Sequence, residues 1–269
     1  RMSIFETAAE LTEYLAVYDQ YHTLLEEEVG IHLPVQGYVA LENDDDRPIF
    51  YIIQQKIAAA ALANKAVGNL SPDEADRFFT QVLRQFQKVW TFNQAQDQFQ
   101  VGLDGQISNW AIADFDPEQP DINPDTKLLY VDTSTPLFRV NGVEQLDSEL
   151  FLRSAPSFLR WLLRWLFLSD VVNRYYDLHL VSNDLLANLY KEQMPHLIPD
   201  FIVTATRFFT HEMAGHNISP LSEDAVRDYY REDKRIWAIY AAMRRLDRTL
   251  QTRLLRRPYP YILPGKVQR

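Results

Sequence analysis

The chain has 269 residues, 46% of them hydrophobic and 24% charged, with a formal net charge of −10 at pH 7. These are ordinary globular values, and the length suffices for a substantial core in one large domain or two small ones. The acidic balance argues against general affinity for nucleic acid, the lack of cysteine excludes disulfides and thiolate metal sites, and no run of about 18 apolar residues is present to span a membrane. The first residues lack the basic-then-apolar layout of a secretion signal, so a cytoplasmic location is expected. Charge is unevenly spread. Between Arg1 and Arg47 there are eleven carboxylates and no Lys or Arg, whereas Arg231 to Arg269 carries eleven basic residues against Glu232, Asp233 and Asp247. The basic stretch reads as a solvated helix face with a basic tail, or as a face for an acidic protein partner.

In chain order, Thr7 to Glu28 carries Leu11, Leu15, Tyr18 and Leu25 at near-helical spacing, with Thr7 as N-cap and Glu10 three residues on. A helix of about six turns is predicted. Gly37–Leu41 and Pro48–Gln54 are strand-like, and the charged stretch Glu42–Arg47 joins them as a hairpin. The alanine-rich run Ala58–Ala66 is predicted helical. Ser71, Pro72 and Glu74 then open a second long helix reaching about Trp90. Two short strand-like segments follow, separated by an acidic, proline-bearing insert from Asp114 to Asp125. Beyond residue 145 the pattern is almost wholly helical, and Phe158–Leu168 reads as a buried core helix. The fold class expected is α+β, with a small mixed part over residues 1–56 and a larger helical part over 57–269.

The chemistry is concentrated in the two strand-like segments. Asp104-Gly-Gln-Ile-Ser-Asn109 places an acid five residues before an amide, and Leu128-Leu-Tyr-Val-Asp132 ends an apolar run in a second acid. Taken singly, Asp104-Gly105 is a turn former, Asn109 a turn or cap residue, and Asp132 an N-cap for Thr133 to Leu137. Taken together, in the order helix, hairpin, connector, long helix, acid-amide loop, strand, acid, they resemble the protein-kinase-like fold, including its aminoglycoside and small-molecule phosphotransferase branch. The resemblance covers about residues 7 to 140 and, more loosely, the helices after Pro156.

The resemblance implies that Asp104 orients the acceptor hydroxyl, that Asn109 and Asp132 hold Mg²⁺, and that ATP lies between the hairpin and the helical side. It further implies that the backbone of Gln55, Lys56 and Ile57, after the second strand, meets the adenine, with Ser108 touching phosphate or substrate. The departures are specific. Gly102 stands where the family usually has His, Thr133-Ser134 follow the second acid in place of Phe-Gly, and the interval from Asn109 to Asp132 is long. No Gly-rich loop or strand-borne Lys precedes Thr7. The implied function is ATP- and Mg²⁺-dependent transfer to a hydroxyl, or nucleotide binding by a degenerate pseudokinase.

The alternative is a non-catalytic interaction protein. It would use Phe158–Leu168 with Arg160 and Arg164, Trp237–Tyr240, the arginines at 244, 245 and 248, and the proline-bearing tail 256–264. His211-Glu-Met-Ala-Gly-His216 resembles a zincin motif with one residue too many; on a helix the two rings would point about 140° apart, and Gly215 favours a helix end.

Overall fold

The computed structural model describes residues 5–42, 48–147, 150, 172–216, 218–254, 256 and 259. Helix α1 (Ala8–Thr23) starts where expected: Glu10 N donates to the Thr7 hydroxyl at 3.2 Å, and the Glu10 carboxylate accepts from Glu6 N at 2.9 Å. Its inward face is Leu11, Tyr14, Tyr18 and Tyr21, spaced at three or four residues as one side of a helix must be. The helix widens into a π-type turn (Leu24–Val29) and stops at Gly30, whose φ of 78° suits glycine.

Strands β1 (Gln36–Glu42) and β2 (Pro48–Gln54) pair antiparallel from Gln36↔Gln54 to Glu42↔Pro48. Phe50, fully buried on β2, meets Tyr14 and Tyr18 edge-on at 5.6 and 6.1 Å. With Phe5, Leu11 and Leu150 these rings form a small hydrophobic cluster apart from the main core.

The alanine run does not form one helix. A 3-10 turn (Ala59–Ala61), the short α2 (Ala63–Ala66) and a second 3-10 turn (Val67–Asn69) replace it. The break is at Leu62, which turns extended (φ −65°, ψ 129°) and bridges to Ala111; a tertiary pairing overrides helix propensity there. Helix α3 (Pro72–Ala95) has the full reciprocal cap, Ser71 N to Glu74 at 2.8 Å and Glu74 N to Ser71 Oγ at 3.4 Å. It runs a turn beyond Trp90 and buries Phe78, Phe79, Val82, Phe86 and Val89 in the main core.

Strands β3 (Phe99–Val101), β6 (Phe138–Val140) and β7 (Val143–Glu144) form one antiparallel sheet in the order β3-β6-β7; β4 (Trp110–Ile112) and β5 (Leu128–Tyr130) form another. The reading of Thr133 to Leu137 as a capped helix is corrected. Thr133 is buried and bonded to His22 and Gln36, and the chain continues without helix into β6.

Helices α4 (Leu178–Lys191), α5 (Ile198–His211) and α6 (Glu223–Thr249) complete the larger part. Asp177 caps α4 through Leu180 N at 2.8 Å, and Ser222 caps α6 through Ala225 N at 3.2 Å. Helix α3 packs on α5 and α4, and α4 on α6. The whole is mixed, helix-rich with small antiparallel sheets, in keeping with α+β. Among the described residues, no helix is long and apolar enough to cross a membrane. The expected helix Phe158–Leu168, the joining residues 43–47 and most of the tail 256–264 lie outside the described residues.

Candidate functional site

The β4–β5 hairpin positions the site. Its register runs from Trp110↔Tyr130 to Ile112↔Leu128, and Val131 N adds a rung by donating to Asn109 O at 2.9 Å. Asn109, just before β4, and Asp132, just after β5, therefore leave the hairpin at the same end. A 3-10 turn (Ile107–Asn109) returns the chain so that Asn109 Nδ2 donates to Asp104 O at 3.3 Å, and Asp104 N donates to the Tyr130 hydroxyl at 3.2 Å. The long interval between Asn109 and Asp132 is absorbed at the other end. There the insert packs on α3, with Arg77 Nε donating to Ile122 O at 2.5 Å and Gln81 Nε2 to Pro124 O at 3.0 Å.

Asp104 is half-buried, and Gln106 clamps its carboxylate: the backbone N reaches Oδ1 at 3.2 Å and the side-chain Nε2 reaches Oδ2 at 3.3 Å. Burial pushes this carboxyl above the usual range, the Asp132 charge pushes it further, and the Lys191 ammonium opposes both. Asp132 is exposed and accepts from Ser134 N at 3.3 Å and Ser134 Oγ at 2.8 Å, a turn two residues wide in place of the expected helix cap. The buried Tyr21 and Tyr130 hydroxyls are raised by burial and then by the charges of both acids. The two carboxylates act in one electrostatic field.

The α1–hairpin layer grips the chain on either side of the acids. The Tyr21 hydroxyl donates to Gly102 O at 2.9 Å and the Tyr14 hydroxyl to Ser134 O at 2.8 Å. Gln54 Nε2 donates to Val131 O at 3.0 Å. His22, its pKa lowered mainly by burial, places Nδ1 2.7 Å from Tyr18 O and Nε2 2.9 Å from the Thr133 hydroxyl.

The structure thus gathers Asp104, Asn109 and Asp132, with Ser108 half-buried in the turn between the first two. Gln55, Lys56 and Ile57 lie at the exit of β2. Gln55 N prolongs the sheet by donating to Val35 O at 2.7 Å, while the Gln55 and Lys56 side chains are exposed.

Two glycines make the acid loop fit. A Cβ on Gly105 would stand 2.7 Å from both Cγ1 and the backbone O of Val181 on α4; Gly105 is required for close approach, not for a left-handed turn. At Gly102 a Cβ would meet the Tyr176 ring at 3.1 Å and Tyr175 O at 3.2 Å. The space in which a side chain would begin there is already crowded by Tyr175 and Tyr176.

Beside this loop, α4 and α6 enclose a cavity of about 270 Å³ lined by Gln106, Tyr175, Asp184, Asn188, Tyr229 and Asp233 among others. Gln106 joins cavity to acid: its Oε1 accepts from Lys191 Nζ at 2.6 Å and Asn188 Nδ2 at 3.2 Å while its Nε2 holds Asp104. Asp184 accepts from the Tyr229 hydroxyl at 2.9 Å, and Arg174 donates to that hydroxyl at 2.6 Å. Burial, then the Asp104 charge, pushes the Asp184 carboxyl up to about 7.

A family model described as a family of unknown function, DUF6206, matches residues 1–248. The chain belongs to that family. The acid loop, Asp132 and the cavity all fall inside the family's span. No curated protein and no solved structure matches the chain.

Sequence reasoning passed over Gln106, Asp184, Asn188 and Lys191. A signal was present: positions 184, 188 and 191 follow the spacing of one helical face, so polar groups line a helix otherwise rich in Leu. The zincin-like segment resolves as a turn. Helix α5 ends at His211, Gly215 adopts φ 94°, and Glu212 pairs with Arg84 through contacts of 3.1 and 3.0 Å. Among the described residues, no group of three or more His, Asp or Glu side chains is placed to hold a metal ion.

Proposed function

We propose that this chain is a kinase-like phosphotransferase that binds a nucleoside triphosphate with Mg²⁺ and transfers phosphate to a hydroxyl. The observation that carries the reading is the convergence of Asp104, Asn109 and Asp132 at one end of the β4–β5 hairpin, joined by Val131 N to Asn109 O and Asn109 Nδ2 to Asp104 O. The order of elements agrees with that fold: an acid loop, a hairpin, a second acid, then β6 returning to pair with β3.

The donor set suits Mg²⁺, which is held by one or two protein groups and completes its shell with phosphate oxygens and water. A cluster of three acids is therefore not required. Asn109 turns its nitrogen to Asp104 O, which makes its oxygen the ligating end, and Asp132 supplies the carboxylate at the exposed mouth. Asp104, held at both oxygens by Gln106, is oriented to receive a hydroxyl proton, and its raised pKa favours that role. The metal–nucleotide supplies the activated phosphoryl group.

Thermal denaturation with ATP and MgCl₂ tests the reading. At ligand a hundredfold above Kd, binding stabilises the native chain by about 2.7 kcal/mol. The expected result is a rise in Tm that requires both components and is abolished by Asp132→Ala. An unchanged Tm with ATP, GTP and either Mg²⁺ or Mn²⁺ would overturn it.

A second reading, an interaction surface on α6, draws on one observation. Among the described residues of this 27-residue helix only Val226 and Asp247 are buried, and Trp237, Ile239 and Leu246 are about half exposed. Arg245 and Arg248 flank them. A partner captured by the parent chain and lost on Ile239→Glu with Leu246→Glu supports this reading.

A further inference from the structure

We infer that His22 is a positioning residue for the loop that carries Asp132, and that it holds this loop only as the neutral imidazole with its proton on Nδ1. The inference rests on the phosphotransferase reading for what Asp132 does, but not for the joint between His22 and the loop.

Three ties from α1 and the β1–β2 hairpin surround Asp132. Gln54 Nε2 donates to Val131 O at 3.0 Å, the Tyr14 hydroxyl donates to Ser134 O at 2.8 Å, and between them the Thr133 hydroxyl meets His22 Nε2 at 2.9 Å. Of these three, the contact with His22 is the one that grips a side chain of the loop. Thr133 is 2% exposed, whereas Asp132 beside it is exposed. Drawing Thr133 inward leaves Asp132 at the mouth.

Proton counting fixes the state of the ring. Tyr18 O, 2.7 Å from Nδ1, can only accept, so Nδ1 carries a proton. Three donors stand around Gln36 Oε1: Gln54 Nε2 at 3.2 Å, the Thr133 hydroxyl at 3.2 Å and the Tyr18 hydroxyl at 3.4 Å. A carbonyl oxygen offers two lone pairs. With Nε2 bare, Thr133 gives its one proton to the ring, and Gln54 and Tyr18 satisfy Gln36. A second proton on the ring would make Nε2 a donor, reverse the Thr133 hydroxyl and press it onto Gln36 as a third donor.

The surroundings act in the same direction. Asp19 and Glu26, on the ring's own helix and the turn after it, favour protonation, but burial outweighs them and holds the pKa below its ordinary 6.5. The hairpin contributes the uncharged Gln36 and Gln54, and the Tyr38 hydroxyl, which already donates to Asp19 at 3.0 Å. The Tyr21 hydroxyl is engaged by Gly102 O, and the charge of the loop, Asp132, lies at the surface. The joint's stabilising contribution is therefore complete above pH 6.5 and lost as pH falls through the lower folded-state value.

Two measurements on the nucleotide-free chain test the inference. In nitrogen-15 spectra of the imidazoles, with His22 assigned by its disappearance in His22→Gln, the ring should be the Nδ1–H tautomer and protonate below pH 6.5. An Nε2–H tautomer, or a midpoint at or above that pH, would overturn the inference. Hydrogen exchange at the Val131 amide, which donates to Asn109 O, reports the loop. Corrected for intrinsic rates, its protection should fall about fivefold or more between about pH 7.5 and about pH 5.5, as one hydrogen bond is lost. His22→Phe and Thr133→Val should show the low value at both pH values. His22→Gln, which offers an acceptor without titrating, and Thr133→Ser, in the neutral range, should keep the high one. Protection independent of pH in the parent, or undiminished in either His22→Phe or Thr133→Val, would also overturn it. Failure of the parent chain to bind Mn²⁺–ATP would refute the phosphotransferase reading and leave the joint standing on the two measurements above.

Discussion

Gly105→Ala isolates the packing on which the acid loop depends. The added Cβ would lie 2.7 Å from Val181 Cγ1, 2.7 Å from Val181 O and 3.2 Å from Phe86 Cζ. Favourable carbon contacts need about 3.5–4.0 Å, so the loop or α4 must yield by somewhat less than about 1 Å. Valine's methyl can rotate away, but its carbonyl belongs to the α4 backbone and cannot. Overpacking of this kind costs about 1–3 kcal/mol. For a chain of this length each kcal/mol lowers Tm by about 2–4 °C, giving a fall of roughly 2–12 °C.

The assay is urea unfolding followed by circular dichroism, with Gly37→Ala as control. Gly37 lies on β1 with nothing within 4 Å of an added Cβ, so its substitution should stay within about 0.5 kcal/mol of the parent or stabilise slightly. If Gly105→Ala also falls within about 0.5 kcal/mol, the contact between the acid loop and α4 is not tight and the placement of Asp104 loses its support.

Four further outcomes follow from the same geometry. Asp184 holds its proton more tightly in the folded chain (its pKa pushed up to about 7, from an ordinary 3.8), because of burial and the charges of Asp104 and Asp233, with the Tyr229 hydroxyl and Arg174 opposing. Its stabilising contribution is therefore complete below pH 4 and lost as pH rises through 7. Asp184→Asn should gain on the parent by about 1 kcal/mol or more between pH 5 and pH 8 in urea titrations, and a constant difference would contradict the shift. Tyr21→Phe, which strands the Gly102 carbonyl beneath a fully buried ring, should cost about 1–3 kcal/mol, and a cost near zero in the same assay would show that α1 does not hold the acid loop. Arg84→Ala, which breaks a half-exposed pair with Glu212, should cost under about 1 kcal/mol, and His211→Ala with His216→Ala should leave Tm insensitive to EDTA, as in the parent.

The parts legible in the sequence were those fixed by local chemistry. Thr7, Ser71 and Pro72 announce their helices because capping is a matter of adjacent residues, and the continuous apolar run Ile49–Ile53 announces β2, of which Phe50 is the fully buried member. The short strands before Asp104 and Asp132 were legible for the same reason. What was hidden is non-local. Nothing near Leu62 signals that it will pair with Ala111 and break the alanine run, and nothing near Thr133 signals that His22 and Gln36 will bury its hydroxyl.

The site divides in the same way. Asp104, Asn109 and Asp132 were singled out by the resemblance to the kinase-like pattern, whereas by spacing alone each reads as a turn or cap residue. Gln106 reads as an ordinary loop residue until α4 brings Asn188 and Lys191 to its oxygen across more than 80 positions of sequence. The cavity was invisible for that reason, since α4 and α6 build it together.

Whether Asn109 and Asp132 hold a nucleotide-bound metal can be measured by water-proton relaxation. Mn²⁺ in place of Mg²⁺ enhances the relaxation of water protons when its complex with ATP is immobilised on a protein. Enhancement should appear only with protein, Mn²⁺ and ATP together, fall to the protein-free level in Asp132→Ala, and weaken at least tenfold in Asn109→Ala. Enhancement undiminished in both variants, or none with the parent chain, would contradict it.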